Sequence, residues 1–271
     1  MRIGDEYLQC VVYIYPSMQA SQEGKEVGGS GFLVNYPTPT DHIDRVFIVT
    51  NRHVIENIDA PVVRVNRKDG SFDPIETNSS RWKVHPEGDD IAALEFHALS
   101  PEHSALWVDF RAALPDSAID NFNIGIGDTV VMLGRLIGHD GKERNSPIAR
   151  FGTIAMMPGD KIKNSFGVDQ ETYLIECHSI PGFSGSPVFL FLNSNDRSIG
   201  GLLLAGIGPW LLGIDWYHAN NLEKVRDDKG IPLENGWFVK SNTGVAGVIP
   251  VKRIIQLLSS FDLAGGQGLG R

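Results

Sequence analysis

Three short stretches of this 271-residue chain carry side chains able to make and break an acyl bond. In "PGFSGSP" (181–187), Ser184 stands between Gly182 and Gly185. Glycine permits a turn tight enough to aim backbone N–H groups into one common space. In "FIVTNRHVIEN" (47–57), His53 follows an apolar run, and in "HPEGDDIAALEF" (85–96), Asp89 and Asp90 lead into another. Acyl transfer needs a nucleophile, a base beside it, a group that orients the base, and donors for the developing oxyanion. A serine, a histidine, an aspartate and a glycine-lined turn make up that set.

Taken singly, each stretch has a plainer reading. Small residues crowd many loops, a histidine at a strand end is ordinarily structural, and aspartate is common in turns before strands. "GFSG" also approaches the GxSxG elbow of α/β-hydrolases. That elbow requires a helix straight after the serine, and Pro187 followed by "VFLFL" reads as a strand instead. His85, Glu87 and Asp89 suggest a metal cluster, but no second ligand group follows at matching spacing. The chain order separates the alternatives. His53, Asp90 and Ser184 run His…Asp…Ser, the order of the chymotrypsin arrangement and not of subtilisins or α/β-hydrolases.

Strands must hold these residues. Short β-branched runs recur between turn signals at 7–15, 29–34, 45–50, 60–65, 90–96 and 128–133. Others lie at 149–157, 172–177, 186–192, 202–207, 210–215 and 243–249. Thirty Gly and fifteen Pro fit many turns, and strands at this spacing predict two packed barrels in an all-β fold. Ser100-Pro101-Glu102 predicts a short helix through an N-cap, a first-turn proline and a first-turn acid. A longer helix is expected over 250–261, where Val251, Ile254, Ile255, Leu258 and Phe261 share one face. The Gly-rich tail 262–271 reads as a frayed end. Barrel 1 is expected over about 8–115 and barrel 2 over about 122–249, in one domain over 1–271.

A formal charge of −9, with 24 Lys+Arg against 33 Asp+Glu and no basic run longer than two, argues against nucleic acid as a partner. Asp5 and Glu6 interrupt any apolar leader, and no apolar run is long enough for a membrane span. Only Cys10 and Cys177 are present, which fits a reducing compartment, so a cytoplasmic location is expected with no membrane partner.

The segments "GGSGFLV", "VTNRHVIEN", "DDIAAL", "GIGDTVVMLG", "ARFGTIAMM" and "PGFSGSPV" resemble successive landmarks of trypsin/chymotrypsin-like serine peptidases, above all the bacterial HtrA-type protease domain. "GVAGVIPVKRIIQLL" resembles that family's last strand and terminal helix. The likeness spans most of residues 8–260. It implies two six-stranded antiparallel β-barrels with the active site between them, and hydrolysis of protein or peptide substrates. His53, Asp90 and Ser184 would form the catalytic triad, Gly182 and Ser184 would supply the oxyanion-hole N–H groups, and no metal or organic cofactor would be needed. The resemblance further places His178 near the floor of the primary substrate pocket and Asp215 on its wall. With no acid at 178, Lys or Arg is not expected before the cleaved bond. Phe183 replaces the aspartate that zymogens use to capture a new N-terminus, so no activating cleavage is expected. Ser186 stands where many relatives have Gly, 215–242 exceeds the usual loop, and no PDZ-type module follows the helix. Two alternatives remain, a silent double-barrel scaffold that binds peptides and an esterase on the same fold.

Overall fold

The computed structural model describes residues 3–26, 28–37, 44–136, 143–179, 182–192, 198–199, 202–203, 209–231 and 236–265. Among the described residues, eight strands build the first half: β1 (Val11–Tyr15), β2 (Gly29–Pro37), β3 (Asp44–Thr50), β4 (Val62–Asn66), β5 (Phe72–Glu76), β6 (Lys83–Val84), β7 (Ala92–Glu95) and β8 (Val108–Asp109). Ten build the second: β9 (Thr129–Gly134), β10 (Ile148–Met156), β11 (Lys161–Lys163), β12 (Asp169–Glu171), β13 (Tyr173–Glu176), β14 (Pro187–Phe191), β15 (Ser198–Ile199), β16 (Leu202–Leu203), β17 (Trp210–Lys224) and β18 (Phe238–Pro250). The helices are α1 (Asp5–Leu8), α2 (Met18–Glu23), α3 (Arg52–Ile55), α4 (Asp116–Asn121) and α5 (Val251–Gly265).

The architecture is the all-β double barrel of chymotrypsin-like proteins. Strands β10-β13-β18-β17-β14-β9 close into a six-stranded barrel. The first half departs from the expected six strands. It is an eight-stranded sheet in the order β5-β4-β1-β2-β3-β7-β6, with β8 on β2. Among the described residues, no ladder joins β5 to β6. A cleft of about 610 Å3 opens beside the ends of β5 and β7, lined by Ile75, Thr77, Arg81, Leu94 and Phe96 among others. Pro74 in β5 has no N–H for a ladder, which suits an edge.

Why β1 reads as an unbroken apolar run is clear from its position. Val12 and Ile14 point into the first barrel beside Leu33, Ile48, Val63 and Leu94. Val11, Tyr13 and Tyr15 join the core that continues into the second barrel with Val131, Phe189 and Leu212. Both faces of the strand are covered, so both are apolar.

Two helix expectations change. Ser100 starts no helix: its N–H donates to His103 Nδ1 at 2.9 Å and its carbonyl accepts from His103 N, forming a turn. The terminal helix starts at Val251 and runs through Gly265, past the expected end at 261. The chain continues helical there because Leu263 and Ala264 are good helix formers. Residues 266–271 of the expected tail, and part of the 202–207 run, lie outside the described residues. Among the described residues, no helix is long and apolar enough to cross a membrane. Cys10 and Cys177 are buried free thiols, their pKa values pushed up to about 12 by burial.

Candidate active site

His53 sits in the one-turn helix α3, placed straight after β3 so that the end of a buried strand fixes its backbone. Its ring Nδ1 stands 2.6 Å from Asp90 Oδ2, and its backbone N–H donates to Asp90 Oδ1 at 3.0 Å. Both carboxylate oxygens of Asp90 are therefore spent on one histidine. The aspartate is almost fully buried while the His53 side chain keeps about a third of its surface in the open, at 36%. That leaves Nε2 facing outward.

Asp90 is itself held from both barrels. Asn51 Nδ2 donates to its carbonyl at 2.9 Å, and its N–H donates to Gln170 Oε1 at 3.0 Å. Gln170 is set in turn by Asn164 Nδ2 at 2.9 Å, so the β11–β12 hairpin of the second half braces an aspartate of the first. Asp89 points the other way. Its Oδ2 accepts from Arg253 Nε on α5, and Arg253 Nη2 also donates to Glu87 at 2.8 Å. Two adjacent acids thus serve two different elements. The His85, Glu87 and Asp89 group finds its cation in Arg253, and no metal-ligating cluster forms among the described residues.

Ser184 is carried by a turn that precedes β14. Gly182 has φ +97° and Gly185 has φ +88°, values that favour glycine. Phe183 is completely buried beneath it. Burying a ring of that size anchors the turn by roughly 1.5–3 kcal/mol. The first barrel grips the same turn: Ser30 N–H donates to the Ser184 carbonyl at 2.8 Å, and Ser30 Oγ donates to the Gly182 carbonyl at 2.8 Å. Among the described residues, nothing accepts a hydrogen bond from Gly182 N–H or Ser184 N–H, the two expected oxyanion donors.

Ser184, Gly182 and His53 line one cleft of about 360 Å3, together with Val54, Glu56, Ile58 and His218. The Ser184 hydroxyl has no hydrogen-bond partner among the described residues. A family model for the trypsin-like peptidase domain matches residues 29–198, more than half of the chain.

The chain belongs to the trypsin-like peptidase family.

Solved structures agree on the fold of this member of the trypsin-like peptidase family. The MamO protease domain from Magnetospirillum magneticum superposes with a TM-score of 0.56 at 13% identity, over 93% of this chain and 96% of that one. The HtrA-type protease AlgW with a tripeptide gives 0.51 at 17% identity, over 95% of this chain and 62% of that one. Deg5 gives 0.50 at 16% identity, over 96% and 92%. No curated protein matches the chain.

The two expected pocket residues lie apart from the cleft lining. His178 is exposed and stands near Gly244 of β18. Asp215 is buried, because its backbone is pinned to the Ser184 turn: Gly185 N–H donates to its carbonyl, and its N–H donates to the Ser186 carbonyl, both at 2.9 Å. Its side chain turns inward and accepts from Ser179 Oγ at 3.0 Å. His218 and Ser30 had no signal in the sequence, since each belongs to the site only through a contact distant in the chain.

Burial pushes the Asp215 carboxyl up to about 7, against the Ser179 hydrogen bond and the nearby His53 that pull it down. In the unfolded chain the group ionises near 3.8. Between those values the folded state holds a proton that the unfolded state has lost, so stability falls as pH rises through that window. The penalty is complete above about pH 7 and absent below about 4. Asp215→Asn is expected to stabilise the fold by about 4 kcal/mol at pH 8 and by almost nothing at pH 4. Melting curves of both proteins across this range check it, and a pH-independent difference would refute the assignment.

Proposed function

We propose that the protein is a serine endopeptidase that hydrolyses peptide bonds through an acyl-enzyme intermediate. The observation that carries the reading is one cleft lined by Ser184 and by a histidine whose Nδ1 rests on the buried carboxylate of Asp90. Ser184 Oγ attacks the scissile carbonyl as His53 Nε2 takes the hydroxyl proton. The carbonyl oxygen becomes an oxyanion toward the unengaged N–H groups of Gly182 and Ser184. His53 then gives its proton to the leaving amine, and a water repeats the sequence to free the acyl group. Asp90 fixes the imidazole tautomer and stabilises the imidazolium throughout. These residues suffice for the reaction without a cofactor.

Fluorophosphonate labelling mapped to Ser184 by mass spectrometry tests the nucleophile, and labelling is expected in chains whose N-terminus is uncut, because Phe183 anchors the turn without an ammonium partner. A peptide library read by mass spectrometry tests the bond cleaved. No preference for Lys or Arg before the cut is expected. Asp215 is buried, and Glu56 in the cleft wall is ion-paired with Arg52 at 2.9 Å. An unlabelled Ser184 would leave the scaffold reading, ester but not peptide cleavage would leave the esterase, and a Lys/Arg preference removed by Asp215→Ala would put the pocket elsewhere.

A further inference from the structure

Among the described residues, strands β11 and β12 pair with no strand but each other, as a hairpin outside the second barrel. A two-stranded hairpin is marginally stable alone in water, so what it rests on matters. Asn164 closes its turn, with Oδ1 accepting from the Phe166 and Val168 N–H groups, both at 3.0 Å. The other end of that side chain leaves the hairpin, and Nδ2 donates to the Gly88 carbonyl at 3.0 Å. Val168 presses on the same residue: a Cβ added at Gly88 would come within 2.9 Å of it. The Phe166 ring lies against the Arg52 guanidinium, 3.9 Å from its centroid. The hairpin thus docks on the two segments of the first half that lead into His53 and Asp90.

Gln170 of β12 is buried in this contact. Its Oε1 accepts two hydrogen bonds, from Asp90 N–H at 3.0 Å and from Asn164 Nδ2 at 2.9 Å. Its Nε2 has no partner among the described residues. Turning the amide over would set an NH2 group against two donors. The side chain therefore leaves one donor unmade to keep an acceptor beneath Asp90. A buried orphan donor lowers stability, so stability alone does not account for glutamine here. Every polar atom of Asp90 is engaged: the carboxylate oxygens by His53, the carbonyl by Asn51 and the N–H by Gln170. Asn51 and His53 belong to the first half, whereas Gln170 belongs to the half that carries Ser184.

We propose that Gln170 is a positioning residue of the hydrolytic site, fixing Asp90, and through it the His53 ring, relative to the half of the molecule that carries Ser184. The proposal rests on the peptidase reading and adds to it a residue that touches neither substrate nor base. Without an acceptor at 170 the Asp90 N–H is left buried and unpaired, and the backbone there shifts toward another partner. Both contacts of Asp90 with His53 then loosen. A displacement of about 1 Å in a catalytic group can cost roughly a hundredfold in rate. Neither Gln170 nor Asn164 lines the cleft, so binding of substrate is untouched and the loss falls on kcat.

The test compares the native protein with Gln170→Met, Gln170→Glu and Asn164→Asp. Methionine keeps the length of the side chain and loses the acceptor, while glutamate keeps an acceptor oxygen at the same reach. Aspartate at 164 keeps the two bonds that close the turn and loses the Nδ2 donor that sets Gln170. On one peptide substrate, kcat is expected to fall about 30- to 100-fold in Gln170→Met and severalfold in Asn164→Asp, with KM within about twofold. Gln170→Glu should stay within about threefold of the native rate. The downfield proton resonance of His53 Nδ1–H, read by NMR on isotope-labelled histidine, should broaden in Gln170→Met and persist in Gln170→Glu. A lower melting temperature with kcat and the resonance unchanged would overturn the proposal and leave Gln170 a structural residue. So would equal losses of rate in Gln170→Met and Gln170→Glu, which would make the acceptor irrelevant. If Gln170→Met fails to fold, Asn164→Asp carries the test. Failure of the peptidase reading shows separately, as a native protein that neither cleaves peptides nor labels at Ser184, while the resonance still reports whether Gln170 holds the His53–Asp90 pair.

Discussion

Asp90→Asn is expected to slow peptide hydrolysis by about four orders of magnitude, approaching the complete loss expected of Ser184→Ala. The geometry says why. Asp90 Oδ1 accepts from the His53 backbone and Oδ2 faces the ring Nδ1. An asparagine can keep the first contact only by presenting its NH2 group to Nδ1. That forces Nδ1 to accept and moves the ring proton to Nε2, where Ser184 needs a base. Asp89→Asn makes the contrast. Asp89 touches Arg253 and lies 3.7 Å from His85, and neither residue lines the cleft. It should leave kcat/KM within about threefold and cost about 1–3 kcal/mol of stability, since Arg253 loses a buried charged partner but keeps Glu87. Steady-state kinetics on one peptide substrate, with denaturant melts alongside, compare the two. Equal losses of rate would mean that the third member of the triad was assigned to the wrong carboxylate.

The site was legible in the sequence to the extent that its members are rare types in a telling order. Strand ends were legible around His53 and Asp90 because apolar runs stop there. The residues that hold His53, Asp90 and the Ser184 turn were not. Ser30, Asn51, Asn164 and Gln170 are ordinary loop and strand residues, and their work depends on contacts between segments up to 152 positions apart in the chain. Arg64 shows the same limit in the fold. Alternation in "VVRVN" would send it to solvent, yet it is completely buried, donating to Asn145 Oδ1 at 2.7 Å and to the Ser21 carbonyl at 3.1 Å. Residues 215–242 stand out in the sequence only as longer than the loop usual in that family, and "HANNLEKVRDDKG" shows neither alternation nor many β-branched residues. It is strand because paired strands extended outward from the barrel, a ladder effect that composition does not encode. For a similar reason the first sheet's open edge was missed: closure depends on β5 meeting β6, and each is too short to announce its partner.

Gly185→Ala is expected to cost about 2–5 kcal/mol of stability and to slow fluorophosphonate labelling of Ser184 by at least about a hundredfold. Two effects combine. The residue has φ +88°, where any L side chain costs about 1–2 kcal/mol. An added Cβ would also come within 2.0 Å of the Ser30 carbonyl oxygen and 2.6 Å of Thr50 Oγ1. Overpacking of this kind typically costs another 1–3 kcal/mol or so. Neither neighbour can yield easily. Ser30 lies in β2, paired with Tyr13 of β1, and its carbonyl accepts from Thr50 Oγ1 at 2.7 Å. Its N–H and hydroxyl hold the carbonyls of Ser184 and Gly182. The methyl group must therefore push the nucleophile turn off the first barrel, which separates Ser184 from His53 and disturbs both oxyanion donors. Gly127→Ala isolates the conformational part. Gly127 has φ +93°, close to that of Gly185, but an added Cβ there meets nothing within 4 Å. It should lose only the conformational 1–2 kcal/mol or so and label Ser184 at the parent rate. Denaturant melts and labelling rates on the two variants measure the difference, and if Gly185→Ala behaved like Gly127→Ala, the grip of Ser30 on the nucleophile turn would have no part in activity.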